Sequence, residues 1–355
     1  MPPLRSPARN LALGLIVAAA PIAAHGQADH RSLSGDRVAI YNLAGHVRVQ
    51  AATGAQVTVD ITRGGRDASR LRIESGDVRG WNALRVIYPS NHIVYPDWRS
   101  RGRTQMHVNS DGTFDDDHDW RDRDNDRVEI RSSGDGLDAH ADLTIGVPKG
   151  QRVAVHVGVG DATVSNVDGD LRVSISAASV SSEHTRGRLT LETGSGSISA
   201  TDAQGEVKLD AGSGEVTIDG VHGETLDIDT GSGSVRGHDI DSRMLKVDVG
   251  SGGVLLERLA SPRVSVDAGS GHTDLSFTQP VEDLGVDAGS GGVTLRLPAA
   301  QGADVDIETG SGGIDSDFAV QTTKLSRDHL RGQIGDGRGR IKIESGSGSV
   351  RLIKN

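Results

Sequence analysis

The 355-residue chain has no cysteine, three methionines and only nine aromatic residues, three each of Trp, Tyr and Phe. The missing cysteine excludes a disulfide-stapled fold and any thiolate metal site. It also excludes lipid anchoring through a cysteine at a signal cleavage site. With so few aromatic rings, the core has to come from small branched aliphatic side chains. Long apolar runs are scarce as well: Leu11 to Ala20 is the one sustained run, too short and alanine-rich for a membrane span. It follows Arg5 and Arg9 and precedes small residues, so residues 1–28 are expected to be an export signal, cleaved after Gly26 or Ala28. No later run of spanning length appears, and the alternating strands of an outer-membrane barrel are missing. The formal charge is −11, and −11 less the two signal arginines gives −13. That balance argues against nucleic acid and anionic membrane surfaces as partners.

What the chain does have is glycine, 48 residues of it, in a recurring phrase. Gly-Ser-Gly begins at Gly194, Gly212, Gly231, Gly250, Gly269, Gly289, Gly310 and Gly346, at steps of 18, 19, 19, 19, 20, 21 and 36 residues. Five and three residues before each first glycine the side chain is always apolar, as in Val207 and Leu209 or Leu245 and Val247. One residue before it the side chain is small or β-branched, as in Thr193, Ala211 and Val249. This period-2 alternation predicts a strand with one buried face. Four residues after the glycine a second strand begins, at Ile198, Val216, Val235, Val254 and their counterparts. A fixed period with a fixed turn marks a solenoid. The expected fold is therefore all-β, a single-stranded β-helix or β-solenoid with coils of about 18–20 residues. Weaker copies at Val153–Val157 and Leu171–Ile175 extend it upstream. The double-length last step predicts one coil near residue 328 that has lost its signature. Stacked at about 4.8 Å per coil, about eleven coils would form a rod on the order of 50 Å long.

The phrases Val38-Ala39-Ile40-Tyr41-Asn42-Leu43-Ala44-Gly45, Gly146-Val147-Pro148 and Leu209-Asp210-Ala211-Gly212-Ser213-Gly214-Glu215-Val216 resemble a bacterial family of candidate adhesins, the DUF4097-type domain. The resemblance covers most of residues 35–355 and implies an exported, repetitive β-helix. It carries over no catalytic residue. The expected organisation is an export signal over 1–28, an N-terminal β cap and first strands over 29–75, an excursion over 76–135, and solenoid repeats over 136–355.

Two residues before each first glycine stands an acid: Glu192, Asp210, Asp229, Asp248, Asp267, Asp287, Glu308 and Glu344. Alternation points them outward, and stacking sets them near 5 Å apart, where like charges repel by about 1 kcal/mol in water. These acids can serve their own turns by accepting hydrogen bonds from turn amides. Alternatively, Asp210, Asp229, Asp248, Asp267 and Asp287 form a line of oxygen ligands for Ca²⁺, or a face for a cationic partner. The calcium nonapeptide of RTX-type repeats puts its acid after the glycines, so that site is not carried over.

Six of the nine aromatics fall within residues 75–135: Trp81, Tyr88, Tyr95, Trp98, Phe114 and Trp120. They are mixed there with aspartates and arginines, and the repeat stops. The segment reads as a solvated loop or, through Trp81, Tyr88, Tyr95, Trp98 and Trp120, as a surface for sugars or a protein partner. No Gly-x-Ser-x-Gly, phosphate loop or His-Glu-x-x-His occurs. The expected function is a non-enzymatic, exported envelope solenoid, adhesin-like, with no cofactor beyond optional Ca²⁺. It would sit in the periplasm or at the cell surface and bind an envelope protein or polysaccharide. A polysaccharide lyase or hydrolase on a β-helix is the alternative. A weak C-terminal cap at Ile353-Lys354-Asn355 leaves end-to-end self-association open.

Overall fold

The computed structural model describes residues 28–98, 102–114 and 125–355. The expected export signal, apart from Ala28, lies outside the described residues, as do Trp120 and most of the Asp/Arg-rich run. The described chain is built from strands, with a single short 3₁₀ turn at Ala68–Arg70. None of its helices is long and apolar enough to cross a membrane.

Parallel pairing at one-coil offsets defines the architecture. Leu189 pairs with Val207, Val207 with Leu226, and Leu226 with Leu245, in parallel register. Leu245 continues to Val264, and Val264 to Leu284. The second strand of each coil stacks likewise, Ile198 on Val216 on Val235 on Val254. Between the two strands the Gly-Ser-Gly corner keeps the coil-to-coil hydrogen bonds running. Gly196 N–H donates to Ser213 O at 3.0 Å, and Gly252 N–H to Ser270 O at 2.9 Å. Gly214 sits at φ +136°, and a Cβ there would overlap the carbonyl oxygen of Gly196 in the coil below. Glycine is required because a neighbouring backbone occupies the space of a side chain. Where the residue before the first glycine is Thr or Ser, its hydroxyl can serve the turn: Gly233 N–H donates to Thr230 Oγ1 at 3.2 Å, and Gly348 N–H to Ser345 Oγ at 3.1 Å.

A second corner lies eight residues beyond Gly194, Gly212, Gly231 and Gly250, and at the matching place in the two coils upstream. Asn166, His184, Asp202, Asp239 and Arg258 there have φ between 49° and 58°, and Gly220 joins them at 68°. This left-handed position favours Asn, Asp and Gly, which supply four of the six residues. After it a third inward column runs through Thr185, Ala203, Val221, Ile240 and Leu259. These coils thus have two longer sides and one short one around an aliphatic core, with Ile198, Leu209, Val216 and Leu226 fully buried. Each such side chain contributes about 1.5–3 kcal/mol.

The C-terminal end departs from the expected order. No coil forms at 328. Residues of Val320–Leu325 and His329–Ile334 make an antiparallel hairpin, whose second strand pairs with Ala303–Thr309. The last strands, Gly339–Ser345 and Val350–Lys354, pair with Asp283–Ala288 and Val293–Leu297 on one side. On their other side they pair with Ala303–Thr309 and Ile314–Ser316. The final coil is therefore threaded between the two coils that precede it, and the hairpin closes the end. Residues 353–355 do not form the end cap that the sequence suggests, because an inner slot offers pairing on both edges.

The N-terminal end repeats this arrangement. The coil formed by Arg37–Ala44 and Val47–Ala52 pairs with Arg152–Val159 and Ala162–Ser165 on one side. Its other side meets Trp81–Ile87 and His140–Pro148. Antiparallel strands Ala28–Leu33, Val57–Gly64 and Arg72–Val78 cover that outer layer. The excursion does not stay a solvated loop. It folds into a four-stranded sheet of His92–Val94, Arg103–Asn109, Asn125–Arg131 and Leu137–Asp138. Tyr95, Trp98, Met106 and Phe114 from it join the common core.

Two outcomes test this architecture. Gly214→Ala is expected to lower unfolding stability by at least about 2 kcal/mol in a denaturant titration, since strain and backbone overlap add. Deleting residues 339–355 is expected to abolish the cooperative thermal transition. If the coils stacked in sequence order, that deletion would trim one end and keep a cooperative melt.

Candidate functional site

The acid row forms in register. Glu192, Asp210, Asp229, Asp248, Asp267 and Asp287 are successive partners along the parallel stack. Glu344 and then Glu308 complete it, in the threaded order rather than the sequence order. The two ends are compensated. Arg172 Nη2 lies 2.9 Å from Glu192, Lys342 Nζ 2.6 Å from Glu344, and His329 Nδ1 3.0 Å from Glu308. Among the described residues, the five central aspartates form no ion pair. Burial, then Asp210 and Asp248, push the Asp229 carboxyl above its ordinary value, against a smaller opposite pull from Lys246.

Two clusters bring potential metal-ligating atoms within 4.8 Å of one another among the described residues: Asp219–His238–Asp239 and Asp306–Glu308–His329. In the second, His329 spans two carboxylates, Nε2 3.0 Å from Asp306 and Nδ1 3.0 Å from Glu308. In the first, His238 lies 3.0 Å from Asp239, which also accepts from Arg258 Nε at 2.5 Å. Both clusters are charge clasps between neighbouring strands. The acid row does not gather its oxygens in this way.

The aromatic residues of the excursion separate into different places. Trp81 is half-buried with Arg37 over its ring at 6.0 Å. It lines a depression of about 470 Å³ that also takes in Arg79, Arg152 and Arg188. Tyr88 is buried as a clamp: its hydroxyl meets Asn42 Oδ1 and Ala44 O, each at 2.9 Å. Burial holds its phenol far above the ordinary value. Tyr95 and Trp98 come together, and both line a cleft of about 730 Å³ where the excursion meets the first coils. The Gly-Ser-Gly corner contributes Ser195 and Gly196 to its lining, and the residues beyond the corners in two successive coils contribute Ser179, Ser181, Ser197 and Ser199. Asp97, Asp161 and His46 stand among the lining residues as well. This volume falls within the range of about 300–1,000 Å³ usual for ligand clefts.

His46 and Asp161 carry no signal in the sequence. They reach the cleft from separate coils, because the coil of 37–52 packs directly on that of 152–165. The second-corner column did have a signal in part of the chain: a polar or glycine residue stands eight places after Gly194, Gly212, Gly231 and Gly250, whereas Phe277, Leu297 and Phe318 hold that place in later phrases.

Asp229→Asn is expected to raise the melting temperature at pH 7, by on the order of 1 °C, and less in high salt. A raised folded-state carboxyl disfavours the charged form, so the penalty is full at neutral pH. The gain should fade as pH falls through the carboxylate range and vanish below about pH 4. An equal shift at every pH would contradict like-charge repulsion in the row.

The family model described as Toastrack DUF4097 matches residues 131–352. No match is found among curated proteins. Among solved structures, the chain is similar to a candidate adhesin from Bacteroides fragilis NCTC 9343. Identity is 13%, coverage 92% of this chain and 97% of that one, and the TM-score 0.34. It is also similar to a candidate cell adhesion protein from Clostridium sporogenes ATCC 15579, at 9% identity, with 93% and 99% of the two chains covered and a TM-score of 0.22. The stacked Gly-Ser-Gly coils and the family match over most of their length agree: the chain belongs to the Toastrack DUF4097 family.

Proposed function

We propose that this protein is a non-enzymatic, exported module of the cell envelope that binds a polysaccharide in an adhesin-like manner, on a rigid solenoid. The observation that carries this reading is the cleft between the excursion and the first coils. It joins aromatic rings, carboxylates and a row of serine hydroxyls. Sugar recognition uses this set: a ring for the apolar face, and carboxylates and hydroxyls for the sugar's own hydroxyls. The uniform acid row supports repetitive binding over catalysis, since hydrolysis of a glycosidic bond needs one localised pair of carboxylates with different environments. Export rests on the basic start and apolar run of residues 1–28.

Native electrophoresis of the purified protein through gels cast with bacterial and host polysaccharides tests this function. Retarded migration in at least one polysaccharide gel is the expected result. Unretarded migration in every gel would overturn polysaccharide binding and turn the search to envelope proteins. The same gels run with Ca²⁺ and with chelator test Asp210, Asp229, Asp248, Asp267 and Asp287 as proposed Ca²⁺ ligands. Chelator-sensitive retardation supports them, and retardation indifferent to chelator counts against them.

A further inference from the structure

We propose that the cleft lined by Tyr95, Asp97, Trp98 and Asp161 takes a glycan bearing a free, protonated amino group, a glucosamine-type rather than an N-acetylated or acidic sugar. This rests on the polysaccharide-binding reading and names the class of sugar.

Charge comes first. Asp97 and Asp161 are exposed on the cleft wall, and among the described residues neither forms an ion pair. Among the described residues, the cleft lining contains no lysine or arginine, with His46 its one basic side chain. A neighbouring depression of about 400 Å³ shares His46 and Asp161 and adds Asp142 together with Arg48. Asp142 Oδ1 accepts the His46 backbone N–H at 2.8 Å, which holds that carboxylate at the mouth of the coil of 37–52. Uronic or sialic acids would bring a further negative charge against these aspartates and be repelled. An ammonium group would instead gain charge-assisted hydrogen bonds to carboxylate oxygens.

The second observation is Tyr95. Its side chain is fully buried, and its hydroxyl has no hydrogen-bond partner. Burial, followed by Asp142, Asp97 and Asp161, keeps that phenol protonated well above its ordinary value. A buried unsatisfied hydroxyl costs stability, about 1–3 kcal/mol, unless a group in the cleft satisfies it. The imidazoles of His46 and His140 pack against its ring at 6.2 and 5.1 Å. They fix the ring in position beside the aspartates.

Shape separates a sugar from other cations. Among the described residues, the oxygens of Asp97, Asp142 and Asp161 do not converge within 4.8 Å, so the set is too open for a single metal ion. A cleft of about 730 Å³ suits a short oligosaccharide better than an ion. Its lining carries a comb of serine hydroxyls, able both to donate and to accept, and the mostly buried Trp98 borders it with 8% of its surface exposed. Sugar hydroxyls and the apolar sugar face match those two surfaces. A lysine side chain of a peptide would use the carboxylates and leave the comb unused.

Titration calorimetry of the purified protein with chitotriose in its fully deacetylated form, its N-acetylated form, and with trilysine tests the assignment. The deacetylated trimer is expected to bind at least about tenfold more tightly than either other ligand. Asp97→Asn/Asp161→Asn is expected to remove most of that preference while leaving the melting temperature unchanged, since both carboxylates are exposed and unpaired. Trp98→Phe is expected to weaken binding of both sugars. Equal affinity for the two trimers, or an amine preference that survives the double variant, would overturn the amine assignment while leaving polysaccharide binding in place. Trilysine binding as tightly as the deacetylated trimer would overturn the sugar assignment. No binding of either sugar, with retardation still seen in polysaccharide gels, would overturn this cleft as the site. Silence in both experiments would overturn the proposed function itself.

Discussion

Every coil of this protein hydrogen-bonds to the coils beside it through its backbone, and the bonding does not stop at the Gly-Ser-Gly corner. Sheets ordinarily end where the chain turns. Here the turn is itself stacked, so Gly196 N–H reaches Ser213 O, and Val216 N–H reaches Ser234 O. Carrying the ladder around a bend forces adjacent backbones into contact, and a carbonyl oxygen takes the space of a Cβ. The glycines, the small residue before them, and the core of Val, Ile, Leu and Ala all follow from that requirement. Parallel stacking in register also copies each outward column from coil to coil. A single acid in the repeat thereby becomes a row of acids along the rod.

Stacking like charges costs free energy; among the described residues the row meets ion-pair partners at its two ends, in Arg172, Lys342 and His329, with a smaller pull from Lys246 on Asp229 in its middle. The second corner handles charge differently. His184 contacts Asp202 at 3.1 Å, and Arg258 donates to Asp239, so acids there meet a partner in a neighbouring coil. The central aspartates and the cleft make parts of the outer surface negative, in keeping with the net charge of −11, while the depression beside Trp81 is basic.

A stack of coils leaves two open edges, and open edges recruit other strands. At each end the structure answers with antiparallel strands that do not continue the repeat. At each end, too, a coil near the terminus of the described chain occupies an inner slot rather than the outermost one. That slot has partners on both edges, so the coil gains two ladders where a terminal position offers one. At the N-terminal end the long connection between 52 and 140 has to leave the stack and return to it. The four-stranded sheet of the excursion is built along that path. Its aromatic side chains pack onto the first coils and form the cleft in doing so.

The period, the alternation and the glycines made the coil legible in the sequence, including which columns point inward and that the acids form one row. These are local properties: a strand face and a turn are set by residues within one repeat. The order of the last coils was not legible, because a step of 36 residues reads equally as two coils or as one coil plus a hairpin. Only competition for the doubly paired slot decides between them. The excursion's aromatics stood out in the sequence as a group, but the structure divides them. Tyr88 became a buried clamp on Asn42, Trp81 faces a basic depression, and Tyr95 and Trp98 wall the cleft. His46 and Asp161 joined that cleft without any local signal. They lie 115 residues apart in the chain, and they meet because residues 37–52 stack against residues 152–165 across the intervening excursion.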